Sequence, residues 1–157
     1  MEKRVLSNGV EIPAIGLGVY LSPEGQATAD SVRWAVEAGY RHIDTAAVYG
    51  NECSVGEGIK TCGIPRDQLF LTSKLWNDDI RKGRALDAFK ESLERLGTDY
   101  LDLYLIHWPA DGHVKAWHAA PGHFVRREGC TIHIPSHIVC TIQSTVSEIN
   151  TGGIQTG

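Results

Sequence analysis

No apolar run in this 157-residue sequence approaches the roughly 20 residues that a membrane-spanning helix needs. The first four residues are mostly polar and lead into no apolar core of a signal peptide. A basic excess, which would favour nucleic acid or an anionic membrane as a partner, is also missing, because the net charge is −4. These absences predict a cytoplasmic protein that binds neither membranes nor nucleic acid.

Cysteine is scarce, and its four positions are Cys53, Cys62, Cys130 and Cys140. Four scattered cysteines do not make a disulfide framework, and a reducing compartment would leave them as thiols. The last two enclose His133 and His137, so that four zinc-type ligands fall within eleven residues. Zinc ligands usually need a longer loop to converge, and Pro135 restricts the turn, so we expect no metal site.

Leucine is absent from the last 47 residues, whereas residues 1–110 contain twelve. The same 47 residues carry six charged side chains against 28 in the first part, and they hold five of the seven histidines. Such a change marks a domain boundary, a linker or a disordered tail, and a shifted reading frame or a retained intron would also produce it. We predict a folded domain over residues 1–110 and a divergent, irregular tail over 111–157.

Hydrophobic segments alternate with helical patterns in the first part of the chain. The predicted strands cover residues 14–17, 41–45, 69–73 and 101–107, and the predicted helices run from an N-cap at Ser22 to Gly39, from Glu52 to Gly63 and from Leu86 to Gly97. Ahead of them, Asn8 and Gly9 between apolar residues predict a β-hairpin. Strands that alternate with helices in this way indicate an α/β fold of parallel βαβ units. After residue 110, only a short helix over 114–120 and a strand over 131–142 that Pro135 interrupts fit any pattern.

Polar side chains stand where three of these strands end. They are Asp44 at the end of the second strand, with Tyr49 in the loop behind it, Lys74 at the end of the third strand and His107 at the end of the fourth. The separations of 30 residues (44 to 74) and 33 residues (74 to 107) each correspond to one βα unit. Because parallel βα barrels carry their active sites at the C-terminal ends of the strands, we expect the four side chains around one mouth.

This set of groups suits the reduction of a carbonyl. Hydride addition builds negative charge on the oxygen, so a proton donor has to reach it. An ammonium group beside a phenol favours proton donation, a carboxylate orients the ammonium, and an imidazole can hydrogen-bond the carbonyl oxygen. The hydride has to come from a cofactor. Taken singly, each residue has a commoner structural explanation as a helix cap, a packing group, a surface lysine or a core histidine. Their combination favours a catalytic role.

Several segments resemble the signatures of the aldo-keto reductase family, in the family's order. They are residues 15–18 (IGLG), 39–46 (GYRHIDTA), 49, 51–52, 55–56, 72–76 (TSKLW) and 102–109 (DLYLIHWP). The resemblance covers roughly residues 4–110, and several long motifs in order are more specific than one short pattern. It implies the N-terminal half of a TIM barrel that reduces aldehydes or ketones with NADPH.

The resemblance also implies a role for each site residue. Tyr49 would be the proton donor, Lys74 and Asp44 would tune it, and His107 would orient the substrate. NADPH would lie beside Gly18, Val19, Tyr20, Asp44 and Lys74. A small carbonyl substrate would contact Tyr20, Val48, Trp76, His107 and Trp108.

The second half of the family's pattern has no counterpart in residues 118–157. A complete (β/α)₈ barrel takes about 250 residues, and the missing part would hold the nicotinamide amide and the 2′-phosphate of the cofactor. A catalytically silent half barrel with an interaction or regulatory role is therefore the alternative expectation. In either case, open edges on the first and fourth strands predict self-association.

Overall fold

The computed structural model of the chain describes residues 2–6 and 9–119, together with the backbone of residues 132–133. The described part begins with an antiparallel hairpin of β1 (Lys3–Val5) and β2 (Glu11–Pro13). Gly9 lies in its turn with a φ of 85°, a left-handed conformation that glycine adopts without steric cost. The hairpin predicted around Gly9 is thus confirmed.

Strands and helices then alternate along the chain. The elements are β3 (Leu17–Gly18), α1 (Gln26–Glu37), β4 (His42–Asp44), α2 (Glu52–Thr61), β5 (Phe70–Leu75), α3 (Asn77–Arg81), α4 (Ala85–Leu96), β6 (Leu103–Ile106), α5 (His113–Ala119) and β7 (Ile132–His133). Short 3₁₀ turns occupy Ala47–Tyr49 and Arg66–Gln68. No helix within the described ranges is long and apolar enough to cross a membrane.

The strands β3, β4, β5, β6 and β7 form one sheet in sequence order, and every neighbouring pair is parallel. The predicted α/β fold with parallel βα units is therefore confirmed. The register aligns Gly18 with Asp44 and Asp44 with Thr72, so these three strands reach the same edge of the sheet. Lys74 lies two residues beyond Thr72 and aligns with Leu105 of β6. The C-terminal ends of the strands consequently bring the polar residues of the sequence to one edge.

One strand, β7, lies within residues 131–142, where the sequence offered a strand interrupted by Pro135. Ile132 and His133 of β7 pair in parallel with Tyr104 and Leu105 of β6, so the outer edge of the fourth barrel strand is not fully open. Only two residues pair, and both precede Pro135, which has no amide hydrogen to donate to a ladder. The tail predicted over residues 111–157 also contains α5, which agrees with the short helix expected over 114–120. Residues 120–131 and 134–157, and the side chains of the cysteine and histidine set, lie outside the described residues.

The first helix begins later than the sequence indicates. Its N-cap is Gly25, because Ser22 is held in the preceding turn, where its amide donates to the Val19 carbonyl oxygen at 3.1 Å. The Thr28 hydroxyl then donates to the Pro23 carbonyl oxygen at 2.6 Å and ties this connection to the helix. The C-terminal ends agree better with expectation, since Gly39 and Gly97 follow α1 and α4 with positive φ.

The three long helices pack against one face of the sheet. This face carries Ile43, Leu71 and Ile106, all essentially inaccessible to solvent, and the helices cover them with an apolar core that includes Val32, Val55 and Leu96. Successive strand residues point to opposite faces, so Asp44 and Lys74 point to the face away from these helices. In a barrel, that face is the interior.

Close contact between helices depends on two glycines of α2. A Cβ on Gly56 would lie 2.5 Å from the Leu96 carbonyl oxygen, and one on Gly58 would lie 2.7 Å from Val32 Cβ. Gly58→Ala should therefore lower the free energy of unfolding by about 1–3 kcal/mol, although alanine normally favours a helix. Urea denaturation measures the effect. Glu57→Ala, an exposed change in the same helix, should alter it by less than about 0.5 kcal/mol. An unchanged or more stable Gly58→Ala variant would contradict the packing described.

Candidate active site

Asp44 and Lys74 form an ion pair at the C-terminal edge of the sheet. Lys74 Nζ donates to Asp44 Oδ1 at 2.6 Å, with the lysine side chain 13% and the aspartate side chain 33% exposed. Neighbouring parallel strands supply the two residues, and the ladder fixes their backbones. The carboxylate offsets the cost of holding an ammonium group in a largely buried position.

The ammonium group of Lys74 has an acceptor for each of its three protons. Besides Asp44, it donates to the Thr45 carbonyl oxygen at 2.9 Å and to the Tyr49 hydroxyl oxygen at 3.4 Å. It also lies 5.0 Å from the centre of the Tyr49 ring. Because the phenol oxygen accepts from Lys74, its own proton is available for another acceptor.

Tyr49 is held at the mouth by the short 3₁₀ turn after β4. Its amide donates to the Ala46 carbonyl oxygen at 3.0 Å, and its ring lies 5.1 Å from the Tyr20 ring. The His107 ring approaches it edge to face at 5.6 Å between centroids. The structure therefore brings together the four residues that the sequence singled out at separate strand ends.

His107 is enclosed by aromatic rings. Its amide donates to the Leu75 carbonyl oxygen at 3.1 Å, which fixes the residue directly after β6. Trp76 lies edge to face with it at 5.2 Å, and Trp108 stacks at 6.4 Å. Burial, and after it the positive charge of Lys74, lowers the pKa of His107 below its ordinary value, while Asp44 opposes the shift. A neutral imidazole at neutral pH follows.

The expected substrate-contacting residues form an apolar rim around these groups. Tyr20, Val48 and Trp108 are all well exposed, and Trp76 is half-buried. A cavity of about 340 Å³ is lined by Val48 and Trp76 of this rim and by residues of α2 and α4. None of the four candidate catalytic residues lines this cavity.

The residues expected to contact the cofactor differ in how accessible they are to a ligand. A Cβ on Gly18 would meet no atom within 4 Å, which leaves open space beside Asp44, its partner in the ladder. Val19, by contrast, is buried in the core, its amide donates to the Asp44 carbonyl oxygen, and its own carbonyl accepts from the Ser22 amide. Gly18 therefore leaves its side of the strand end accessible, whereas Val19 offers neither side chain nor amide to a ligand.

A buried carboxylate near the site was not identified as such from the sequence. Glu52, at the start of α2, accepts hydrogen bonds from Ser73 Oγ at 2.6 Å, Ser92 Oγ at 3.3 Å and Arg95 Nε at 2.7 Å. These bonds join α2 to β5, one residue before Lys74, and to α4. In the sequence, Glu52 looks like an ordinary acid in a first helical turn, and its partners lie 21, 40 and 43 residues away.

Comparison with known proteins agrees with this geometry. The model of the Aldo/keto reductase family matches residues 14–148, which extends past the boundary expected at residue 110. The 9,11-endoperoxide prostaglandin H2 reductase of Trypanosoma cruzi is 44% identical over 154 residues, covering 92% of this chain and 54% of that protein. Glyoxal reductase of Bacillus subtilis is 54% identical over 115 residues, covering 73% of this chain and 42% of that protein.

Solved structures show the same likeness. An aldo/keto reductase from Brucella melitensis has a TM-score of 0.71 and 47% identity, covering 75% of this chain and 46% of that one. A Bombyx mori aldo-keto reductase in complex with NADP has a TM-score of 0.62 and 44% identity, covering 69% and 38%. The chain spans about half the length of the curated relatives it matches. On this evidence the chain belongs to the aldo/keto reductase family, and its homologues are oxidoreductases.

Proposed function

We propose that this protein reduces aldehydes or ketones to alcohols with NADPH. The observation that carries the proposal is the contact of Lys74 Nζ with both Asp44 and the Tyr49 hydroxyl, with the His107 ring against the same tyrosine. A proton donor, a cation, a carboxylate and a neutral imidazole thus share one mouth. These groups can protonate and orient an oxygen that gains negative charge, which is what hydride addition to a carbonyl requires.

Tyr49 would deliver the proton to the carbonyl oxygen. Its hydroxyl oxygen already accepts a hydrogen bond from Lys74, so the positive charge stabilises the negative charge that remains on the phenol oxygen after transfer. Asp44 holds Lys74 in place and keeps the ammonium from being an unpaired charge. His107, neutral because of burial and the charge of Lys74, would donate a hydrogen bond that orients the carbonyl oxygen.

NADPH, when bound, supplies the hydride that completes the reduction. The nicotinamide end of such a cofactor would lie at Gly18, where a Cβ would meet no atom, close to the Asp44–Lys74 pair. The complex of the Bombyx mori relative with NADP supports the same cofactor class. Gly18, Tyr20, Asp44 and Lys74 would form this part of the site, and Val19 would act only by supporting the strand end.

The apolar rim favours a small carbonyl compound with an apolar portion. Tyr20, Val48, Trp76 and Trp108 offer ring and methyl surfaces, and ligand pockets are typically lined by such groups with a few convergent polar ones. The names of the relatives from Trypanosoma cruzi and Bacillus subtilis point to a lipid peroxide and a small dialdehyde. These substrates share a reducible group, an O–O bond or a carbonyl, rather than a common shape.

A catalytically silent half barrel is the alternative, since the chain spans only about half of its relatives. Calorimetric titration with NADPH, followed by NADPH consumption with a panel of aldehydes and ketones, distinguishes the two. We expect weaker cofactor binding than in a full-length relative but measurable turnover. Within the described residues β3 pairs only with β4, so self-association through this edge is part of the proposal, and size-separated fractions should be assayed individually. Absence of both binding and turnover in every fraction would favour the alternative.

A further inference from the structure

The mouth of the site contains a strained turn. The Ser22 amide donates to the Val19 carbonyl oxygen at 3.1 Å, so Val19–Ser22 closes as a four-residue turn with Tyr20 and Leu21 at its centre. Leu21 has a φ of 62°, and it is the one non-glycine residue in the described ranges with positive φ. Turns of this kind favour glycine or asparagine at that position. The Leu21 side chain is 81% exposed, so little packing offsets the backbone strain.

A single buried amide holds both ends of this turn. Asn51 has no solvent-accessible surface, and its Nδ2 donates to the Val19 and Ser22 carbonyl oxygens, each at 2.9 Å. Its Oδ1 accepts from Thr45 Oγ1 at 2.8 Å. Both amide protons are therefore used on the turn, and the amide oxygen ties the turn to the end of β4. An aspartate in this place could supply neither donor.

The turn and its anchor touch the candidate catalytic groups on two sides. Tyr20, inside the turn, packs its ring 5.1 Å from the Tyr49 ring. Thr45, the anchor of Asn51, presents the carbonyl oxygen that accepts from Lys74 Nζ at 2.9 Å. Asn51 thus hydrogen-bonds Val19, whose neighbour Tyr20 packs on Tyr49, and it hydrogen-bonds Thr45, which accepts from Lys74.

We propose that Asn51 is a positioning residue that holds the left-handed turn at Leu21 and thereby sets Tyr20 against Tyr49. The proposal rests on the proposed reductase function and extends it to a residue that touches neither substrate nor cofactor. It requires that the strain at Leu21 and the bonds of Asn51 depend on each other. Relieving the strain at Leu21 should therefore let the turn form without the side-chain amide of Asn51.

Activity tests the positioning role. Asn51→Ala should lower kcat/KM by about tenfold to a hundredfold, as a small misplacement of reacting groups does, and Asn51→Asp should do the same because it lacks both donors. Adding Leu21→Gly to Asn51→Ala should restore most of the loss, since glycine adopts this φ without strain. Ser92→Ala is the matched control, because it also removes a fully buried polar group, but one on α4 that bonds Glu52 and Arg95. It should lower stability without lowering kcat/KM.

Thermal unfolding tests whether Leu21 and Asn51 depend on each other without requiring an activity assay. Leu21→Gly should raise Tm by more in the unaltered chain, where Asn51 keeps the strained turn, than in the Asn51→Ala background, where the turn can relax, whereas Ile15→Gly, at an exposed site without positive φ, should act equally in both. Near-ultraviolet circular dichroism should lose aromatic signal in Asn51→Ala as Tyr20 leaves Tyr49. If the chain shows no reductase activity, the function fails while these two measurements still decide the positioning role. Additive Tm changes, an unaltered aromatic spectrum or full kcat/KM in Asn51→Ala would overturn the proposal.

Discussion

Replacing Tyr49 by phenylalanine is expected to lower kcat for carbonyl reduction by about 10²–10⁴-fold while the free energy of unfolding stays nearly unchanged. The substitution removes one oxygen, whose single hydrogen bond within the described part of the chain is the long, 3.4 Å bond from Lys74 Nζ. The ring remains and can keep its contacts with Tyr20 and His107. A nearly unchanged free energy of unfolding together with a large fall in kcat is expected for a residue that acts as the proton donor.

A second tyrosine provides the matched control for this experiment. Tyr40 precedes β4, remote from the strand ends that carry the site, and Tyr40→Phe should leave kcat and KM unchanged. Initial rates with saturating NADPH and one aldehyde, together with urea denaturation of all three proteins, complete the comparison. Full turnover in Tyr49→Phe would remove this residue from the proton-transfer step and require another donor at the mouth.

Replacing Lys74 by methionine is expected to lower kcat by an amount comparable to that of Tyr49→Phe, and also to raise the pKa of His107. The ammonium group can no longer stabilise a negative phenol oxygen, so proton transfer becomes unfavourable. Its charge is also the second cause, after burial, of the lowered pKa of His107. With the cation gone, the Asp44 carboxylate favours the imidazolium, so the ring takes up a proton at a higher pH than before.

Nuclear magnetic resonance of the histidine ring protons measures this change directly. The His107 signal, assigned by its absence in His107→Gln, should titrate below the ordinary value of about 6.5 in the unaltered protein and at higher pH in Lys74→Met. Adding Asp44→Asn should bring the pKa down again and recover stability, because no unpaired carboxylate remains. It should not recover turnover. An unchanged His107 titration in Lys74→Met would contradict the electrostatic coupling of the two strand ends.

Local sequence patterns predicted the elements whose periodicity is strong. The alternating leucines of residues 101–105 indicated β6, and the spacing of Leu86, Phe89, Leu93 and Leu96 indicated α4, because only one face of each element can be buried. Glycine after a helix marked the ends of α1 and α4 for a steric reason that needs no tertiary information. The polar residues at the strand ends could also be predicted locally, because a polar residue at the end of an apolar segment can be recognised from the sequence alone.

Other elements depend on contacts that a single segment does not reveal. Ser22 resembles a helix N-cap, but its carbonyl is bound by Asn51, 29 residues away, and the helix begins only after Gly25. The five-residue helix α3 has one buried apolar side chain, Ile80, and otherwise the polar composition of a loop. Burial of Glu52 requires partners from β5 and α4 at once. Each of these differences comes from long-range hydrogen bonding or packing, which overrides local propensity.

The division between strands and loops bears on how readily this protein could acquire new substrates. Asp44 and Lys74 come from strands or strand ends whose ladder bonds determine their positions. Tyr20, Val48 and Trp108 project from connecting segments and are exposed. Substitution of these three residues can reshape the entrance while the groups that perform the chemistry keep their geometry. Libraries randomised at the exposed positions alone should therefore yield variants with altered selectivity at little loss of folding yield.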